Sequence, residues 1–286
     1  VKQVICDMDG TLLNSNHEAS SRFFEQYRAM KAKGITFVAA SGRQYHSIRE
    51  KLAPIADELI IVAENGAFAK SPTEVLVSTF VPDGAVAQVL SAIEGKSEIH
   101  PVLCTPDAAY VRADSPAFRV VMSEFYSSHH SVEDLAEVNA DVLKIALYNK
   151  TNSEQFIYPY TKHLEGSLKV KVSGVNWVDV SHPDAHKGHA IRLIQKRLGV
   201  SKAETMVFGD YHNDLEMLAL ADFSFAMGNA HPDIVEAAHF QTTNNDDFGV
   251  ERVALGTAVE AFPAVGDAAG IVSCVDVALF TPLVAG

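Results

Sequence analysis

Three short apolar runs in this chain end at residues able to do chemistry. Val4-Ile5-Cys6 runs into Asp7, Ile35–Ala40 into Ser41, and Met206-Val207-Phe208 into Gly209-Asp210. Continuous apolar runs of this length, without polar alternation, suit strands buried on both faces, and such strands belong to parallel sheets covered by helices. Between the first two runs the stretch Ser20–Lys33 places Phe23, Phe24, Tyr27 and Met30 at helical spacing, and Gly34 stops it. Leu59-Ile60-Ile61-Val62 follows as a third strand. Strand, helix, strand, helix, strand in this order predicts a doubly wound, Rossmann-like α/β domain. Ligands bind such sheets in the crevice at the carboxyl ends of the strands, where Asp7, Ser41 and Asp210 are expected.

The pattern changes near Val81-Pro82-Asp83. A helix over Gly84–Glu94 leads to strands Ile99–Cys104 and Ala109–Arg112, a helix Pro116–Tyr126, a strand Val142–Tyr148 and a helix Ser153–His163. Leu168–Ser173 and Trp177–Val180 then read as a hairpin turning at Gly174. Strands joined by short turns suggest an antiparallel sheet with helices on one face. The doubly wound pattern returns after Pro183, with a helix Gly188–Leu198, the strand Met206–Phe208, a helix Asp214–Ala219 and the strand Phe223–Ala226. We therefore expect a core of residues 1–82 and 182–258 with an α+β module of residues 83–181 inserted into it. Residues 259–286, rich in Ala, Val and Gly, fit neither pattern, and an extra packed element and a poorly ordered tail both remain open for them.

A chain of 286 residues with 48% hydrophobic and 21% charged residues can bury a sizeable core. Its net charge of −13 disfavours nucleic acid and anionic membranes as general partners. Three widely separated cysteines, Cys6, Cys104 and Cys274, suggest neither a disulfide framework nor a metal knuckle and fit a reducing cytoplasm. The N-terminal stretch does not read as a signal peptide, and no apolar run is long enough to predict a membrane span.

Asp7 and Asp9 flank Met8 ahead of Gly10-Thr11, and Gly10 permits a tight turn. Two carboxylates this close stay charged only with a cation nearby, and oxygen ligands suit Mg²⁺. An EF-hand reading, with Glu18 at the twelfth position, fails because Leu12 stands where that loop needs glycine; a solvated acidic turn is the plain alternative. Ser41-Gly42-Arg43 offers a hydroxyl and backbone N–H groups to a phosphate, or is simply a turn. Lys187 opens a helix, where a cation is unfavourable without an anion beside it. In Gly209-Asp210-Tyr211-His212-Asn213-Asp214, Asp210 is placed to join the carboxylate set, Asn213 to contact a phosphate and Asp214 to aim Lys187; a cluster of helix caps is the simpler reading.

The order Asp-x-Asp-Gly-Thr, Ser, Lys, Gly-Asp-x-x-Asn-Asp resembles the haloacid dehalogenase (HAD) superfamily over about Val1–Ala258. The inserted module looks like the C2B cap of its Cof-type branch, as do Ala63-Glu64-Asn65-Gly66-Ala67 and Phe225–Ala230. Phe37–Gly42 is similar to the bacterial sugar phosphatases within that branch. The resemblance implies a Mg²⁺-dependent phosphatase. In it Asp7 is nucleophile and metal ligand, Asp9 is acid/base and metal contact through its carbonyl, and Asp210 is the further ligand. Thr11, Ser41, Gly42, Lys187 and Asn213 bind the phosphoryl group, Thr11 also helps position Asp9, and Asp214 supports Lys187 or metal-bound water. Tyr211 and His212 depart from the small residues usual there; His212 reads as a solvent-facing histidine or as a neighbour of the phosphate. Loops at Thr105–Ala108 and Gly174–Trp177, with Trp177 and Lys144, are candidates for substrate contact, although packing or pairing explains both side chains equally well. The expected substrate is a sugar phosphate. A cofactor phosphate such as pyridoxal phosphate or flavin mononucleotide, a phosphomutase reaction and a phospho-accepting regulatory domain are the rivals. Asp9 and the inserted module both disfavour the regulatory domain.

Overall fold

The computed structural model describes residues 1–112, 118, 120–122 and 126–257. Most of the helix expected over Pro116–Tyr126, together with Cys274 and the tail 259–286, lies outside the described residues. In chain order the strands are β1 (Gln3–Asp7), β2 (Thr36–Ala40), β3 (Ile60–Ala63), β4 (Phe68–Lys70), β5 (Val75–Ser78), β6 (His100–Cys104), β7 (Ala109–Arg112), β8 (His129–Val132), β9 (Lys144–Tyr148), β10 (Lys169–Gly174), β11 (Trp177–Ser181), β12 (Thr205–Gly209), β13 (Phe223–Ala226) and β14 (Phe240–Gln241). The chain separates into two compact units, one of Val1–Ala40 and the residues from Ile194 onward, the other of Ser41–Leu193.

The first unit holds the parallel run β14-β13-β12-β1-β2. All five residues of β1 and of β12 are buried, as continuous apolar strands covered on both faces require. From β1 the chain goes to β2 on one side, and the later strands β12, β13 and β14 lie on the other, so the winding reverses beside β1. The carboxyl ends of β1 and β12, in register at Cys6 and Phe208, therefore open onto the crevice where such sheets bind ligands. The helix Ser21–Ala32 covers β2. Ser20 caps it by accepting the Phe23 N–H, and it buries Phe23, Tyr27 and Met30, with Phe23 and Tyr27 against Phe37 at 5.1 and 6.2 Å between ring centres.

The second unit contains the antiparallel group β3-β4-β5 and a six-stranded sheet, β10-β11-β9-β6-β7-β8, that lies wholly within the stretch expected as the inserted module. Grouped by compactness alone, residues 41–82 cluster with this module rather than with the first unit. The six-stranded sheet is antiparallel through β10, β11, β9, β6 and β7, but β8 pairs with β7 in parallel. The expectation of a purely antiparallel sheet is corrected at this edge. A parallel neighbour cannot be reached by a short hairpin turn, so a pattern of strands joined by short turns does not foresee it. The helix expected over Ser153–His163 is also corrected: it is two short helices, Ser153–Phe156 and Tyr158–Thr161, followed by a 3₁₀ turn. Pro159, lacking an N–H, belongs in a first helical turn, so a new helix starts there instead of the old one continuing. Ile145, Leu147, Val178 and Val180 face a core closed by Val89 and Ile157, while Val102, Ala146 and Met122 face the opposite one. No helix among the described residues is long and apolar enough to cross a membrane.

Candidate active site

Asp7 is the last residue of β1 and is buried. Asp210 directly follows β12, the parallel neighbour of β1. Carboxylate oxygens of Asp7, Asp210 and Asp214 lie within 4.8 Å of one another. Asp214, expected only as a support, is thus a full member of the cluster. The 3₁₀ turn His212–Asp214 folds its side chain back, and Oδ2 accepts the N–H groups of Asp210 at 3.0 Å and Tyr211 at 3.3 Å. Three carboxylates facing one another repel unless a cation sits among them, and an all-oxygen donor set suits a hard divalent ion.

The turn after β1 brings further groups to this cluster. Thr11 donates its hydroxyl proton to Asp210 Oδ1 at 3.2 Å, which ties the turn after β1 to the residue that follows β12. Gly10 takes φ +75°, and a Cβ on it would overlap the Asp210 carboxylate, so only glycine meets both demands. Asn229 donates to the Gly10 carbonyl at 2.8 Å and accepts from the Asn245 N–H at 3.1 Å, pinning the turn. Asp9 stands apart from the three clustered carboxylates. Its Oδ1 lies 3.2 Å from His17 Nδ1, and its side chain is partly exposed. Asn213 is half-buried beside Asp214.

In the second unit Ser41 and Lys187 are buried, Lys187 completely. The Ser41 N–H donates to the Val62 carbonyl, and its carbonyl accepts from the Asn65 N–H at 3.0 Å. The Arg43 carbonyl accepts from the Glu64 N–H at 3.0 Å. Gly42 packs under the Asn65 amide, and Gly66 packs against the His186 carbonyl, immediately before Lys187 at the head of the helix Lys187–Leu198. The turn Glu64–Gly66, which has two non-glycine residues in the left-handed region (φ +49° and +53°), thereby gathers the Ser41–Gly42 loop and Lys187. Sequence reasoning noted Glu64-Asn65-Gly66 without giving it a task. Its signal was a glycine-containing polar turn directly after a buried strand.

Lys144 and Trp177 turn out to be paired and packed. Lys144 Nζ lies 2.7 Å from Glu64 and 3.5 Å from Asp179 in the interior. Trp177 sits in an aromatic group with Tyr148 at 4.9 Å, Tyr126 at 6.2 Å and Phe118 at 6.4 Å. Neither Cys6 nor Cys104 is in a disulfide, and both are buried.

A family model described as haloacid dehalogenase-like hydrolase matches residues 4–253. The chain belongs to this family. It is 33% identical over 256 residues to the 5-amino-6-(5-phospho-D-ribitylamino)uracil phosphatase of Escherichia coli, covering 87% of this chain and 93% of that one. Among solved structures, SMU.1108c from Streptococcus mutans aligns with a TM-score of 0.80 at 29% identity, covering 91% of this chain and all of the other. The HAD subclass IIB sugar phosphatase BT4131 shares the fold, with a TM-score of 0.77 at 23% identity over 91% of this chain and all of its own. The protein is a HAD hydrolase of the Cof type, a phosphatase with an α/β core and a cap.

Proposed function

We propose that the protein is a Mg²⁺-dependent phosphomonoesterase of sugar or polyol phosphates that works through an aspartyl-phosphate on Asp7. The observation that carries this reading is the convergence of the buried Asp7 and Asp214 with the half-buried Asp210 at the ends of two adjacent parallel strands. Asp7, Asp210 and the Asp9 carbonyl would hold Mg²⁺, with Asp214 beside them; bound there, the ion supplies positive charge to the phosphoryl oxygens.

Asp7 attacks phosphorus, and Asp9 protonates the departing alcohol oxygen. Asp9 then takes a proton from water, which hydrolyses the acyl phosphate and returns Asp7. Ser41, Gly42 and Lys187 hold the phosphoryl oxygens, with Asn213 as a further contact. The buried setting of Ser41 and Lys187 supports this assignment, since a lysine fully out of water requires an anion. Residues 83–181 act as the cap that selects the leaving group, through the turns Thr105–Ala108 and Gly174–Trp177. The net charge of −13 and the absence of a disulfide at Cys6 and Cys104 support a cytoplasmic enzyme of small molecules.

A second reading is favoured by the Escherichia coli relative, whose name specifies a phosphorylated ribityl chain carried on a pyrimidine. Both readings share a primary phosphate on a polyhydroxylated chain and differ in the ring. Phosphate release from a panel of hexose and pentose phosphates, phosphoribityl pyrimidines, flavin mononucleotide and pyridoxal phosphate, with and without Mg²⁺, tests them. Broad activity on sugars supports the first reading, and a marked preference for the ring-bearing substrates replaces it with the second. Full activity in chelator overturns the metal assignment.

A further inference from the structure

Beside the catalytic carboxylates lies a second convergence of metal-binding side chains, and it has the opposite chemistry. His212 comes from the turn after β12; His231 and Asp233 come from the start of the helix Pro232–Ala237. One ligand atom from each of the three lies within 4.8 Å of the others. His212 Nε2 is 2.8 Å from Asp233 Oδ2, His231 Nδ1 is 3.5 Å from the same oxygen, and the two imidazole rings are 4.2 Å apart. Their side chains are 35%, 36% and 60% exposed, so an ion in solution reaches them.

We propose that His212, His231 and Asp233 form a separate site for a borderline divalent ion, Zn²⁺ first among them. Zinc bonds of about 2.0–2.1 Å in a tetrahedron set neighbouring ligand atoms about 3.3 Å apart. The observed separations of 2.8 and 3.5 Å straddle that edge length, so small side-chain adjustments admit the ion. Two nitrogens and one carboxylate are the donor set that zinc takes when a fourth position stays open to water or a ligand oxygen. It is not a donor set that Mg²⁺ prefers.

His231 Nδ1 accepts the Asp233 N–H at 3.2 Å and so caps the helix Pro232–Ala237, and an ion bound through Nδ1 takes over that lone pair from the capping bond. The scaffold is fixed from both sides: the His231 N–H donates to the Asp210 carbonyl at 2.9 Å, and the Ile234 N–H donates to the His231 carbonyl at 2.9 Å. An ion bound here ties the segment carrying Asp210 and Asp214 to the loop Asn229–Asp233. The site offers a transition metal a way to act on the enzyme without entering the oxygen-only cluster.

The test is calorimetric titration of Zn²⁺ into protein held in saturating Mg²⁺, repeated on His231→Ala, Asp233→Asn and Asp7→Asn. One zinc per chain is expected in the wild type and in Asp7→Asn. Binding about 100-fold weaker is expected in His231→Ala and Asp233→Asn, since removing a ligand costs at least what removing its supporting partner does. Absence of zinc binding by the wild type, or loss in Asp7→Asn with retention in His231→Ala, overturns the proposal. Co²⁺ added to the wild type in Mg²⁺ needs no variant: strong visible absorption of a four-coordinate, nitrogen-ligated ion supports the site, and only the weak bands of six-coordinate cobalt reject it. Because both readouts are binding measurements, they stand whether or not the phosphatase reading survives.

Discussion

At the scale of single residues, the two aspartates of the first turn are distinguished by their surroundings. Asp7 is buried among carboxylates, whereas Asp9 stands at the edge with His17, which is where a proton donor that must meet water and leaving group belongs. Asp7→Asn should abolish steady-state turnover, because no nucleophile remains. Asp9→Asn should lower kcat by roughly 10²–10⁴-fold, the scale of lost general acid–base catalysis; single-turnover assays of phosphate release check both. Gly10 and Gly34 give a controlled pair. Both are left-handed, at φ +75° and +73°, but a Cβ on Gly34 meets nothing within 4 Å, whereas one on Gly10 overlaps Asp210. Gly34→Ala should cost about 1 kcal/mol of stability and leave kcat unchanged. Gly10→Ala should lower kcat by about 10²-fold, because the displaced carboxylate is misplaced by about an ångström. Asp7 and Asp210 were legible as candidates because apolar runs point at them. Asp214 was legible as a support but not as a member of the carboxylate cluster, because a 3₁₀ turn, and not the spacing of residues, carries its side chain back onto the Asp210 and Tyr211 N–H groups.

At the scale of elements, legibility followed length and periodicity. β1, β2, β12 and the helix Ser21–Ala32 were readable because their apolar positions are buried in the expected period. β4, β5 and β8 escaped notice: they are three or four residues long, and β5 and β8 are largely exposed, so little apolar pattern marks them. A helix between β2 and β3 follows from the alternating order, but the bounds Tyr45–Lys51 were not readable, since Gln44 makes no side-chain cap and only two of the helix's residues are buried. Caps that are present carry measurable weight. Ser20→Ala removes both the acceptor for the Phe23 N–H and the hydroxyl bonded to Glu251, and should destabilise the protein by about 1–2 kcal/mol in urea unfolding. The 3₁₀ turn Lys202–Glu204 is closed by Ser201 and Glu204, and the Glu204 carboxyl is held down at about 2 by the Lys2 ammonium and then by the Ser201 N–H and hydroxyl. A carboxyl lowered by folding stabilises the native state above its ordinary range, and that stabilisation is lost as pH falls toward about 2. Glu204→Gln should therefore lessen the drop in thermal midpoint between pH 5 and pH 2, leaving the two proteins closest at the acid end.

At the scale of the whole molecule, an acidic chain with 36 acidic and 23 basic side chains places two lysines in its interior. Lys187 is the residue proposed above to hold an anionic substrate, and Lys144 is paired with carboxylates of the protein. Burial works against the Lys144 charge, but Asp179 and Glu64 outweigh it and hold the ammonium well above its usual range. Burial raises the Glu64 carboxyl, with the Lys144 charge pulling it back. The pair joins β9 to the turn that holds the Ser41 and Arg43 backbone, so a strand of the expected cap module and the turn beside the Ser41 loop share one buried interaction. Sequence alone left Lys144 open between substrate contact and pairing, because its partners lie 80 and 35 residues away along the chain. Lys144→Met should destabilise by about 3–5 kcal/mol in urea unfolding, since it strands Glu64 in a site without a counter-charge. Adding Glu64→Gln to that variant should recover much of the loss, because removing both charges removes the desolvation cost along with the attraction. If the double variant is as unstable as the single one, stranded charge is not the cause, and the Glu64 side chain stabilises its left-handed turn by some other contact. If the double variant regains stability but not activity, the ion pair serves the geometry of the Ser41 loop and not the endurance of the fold.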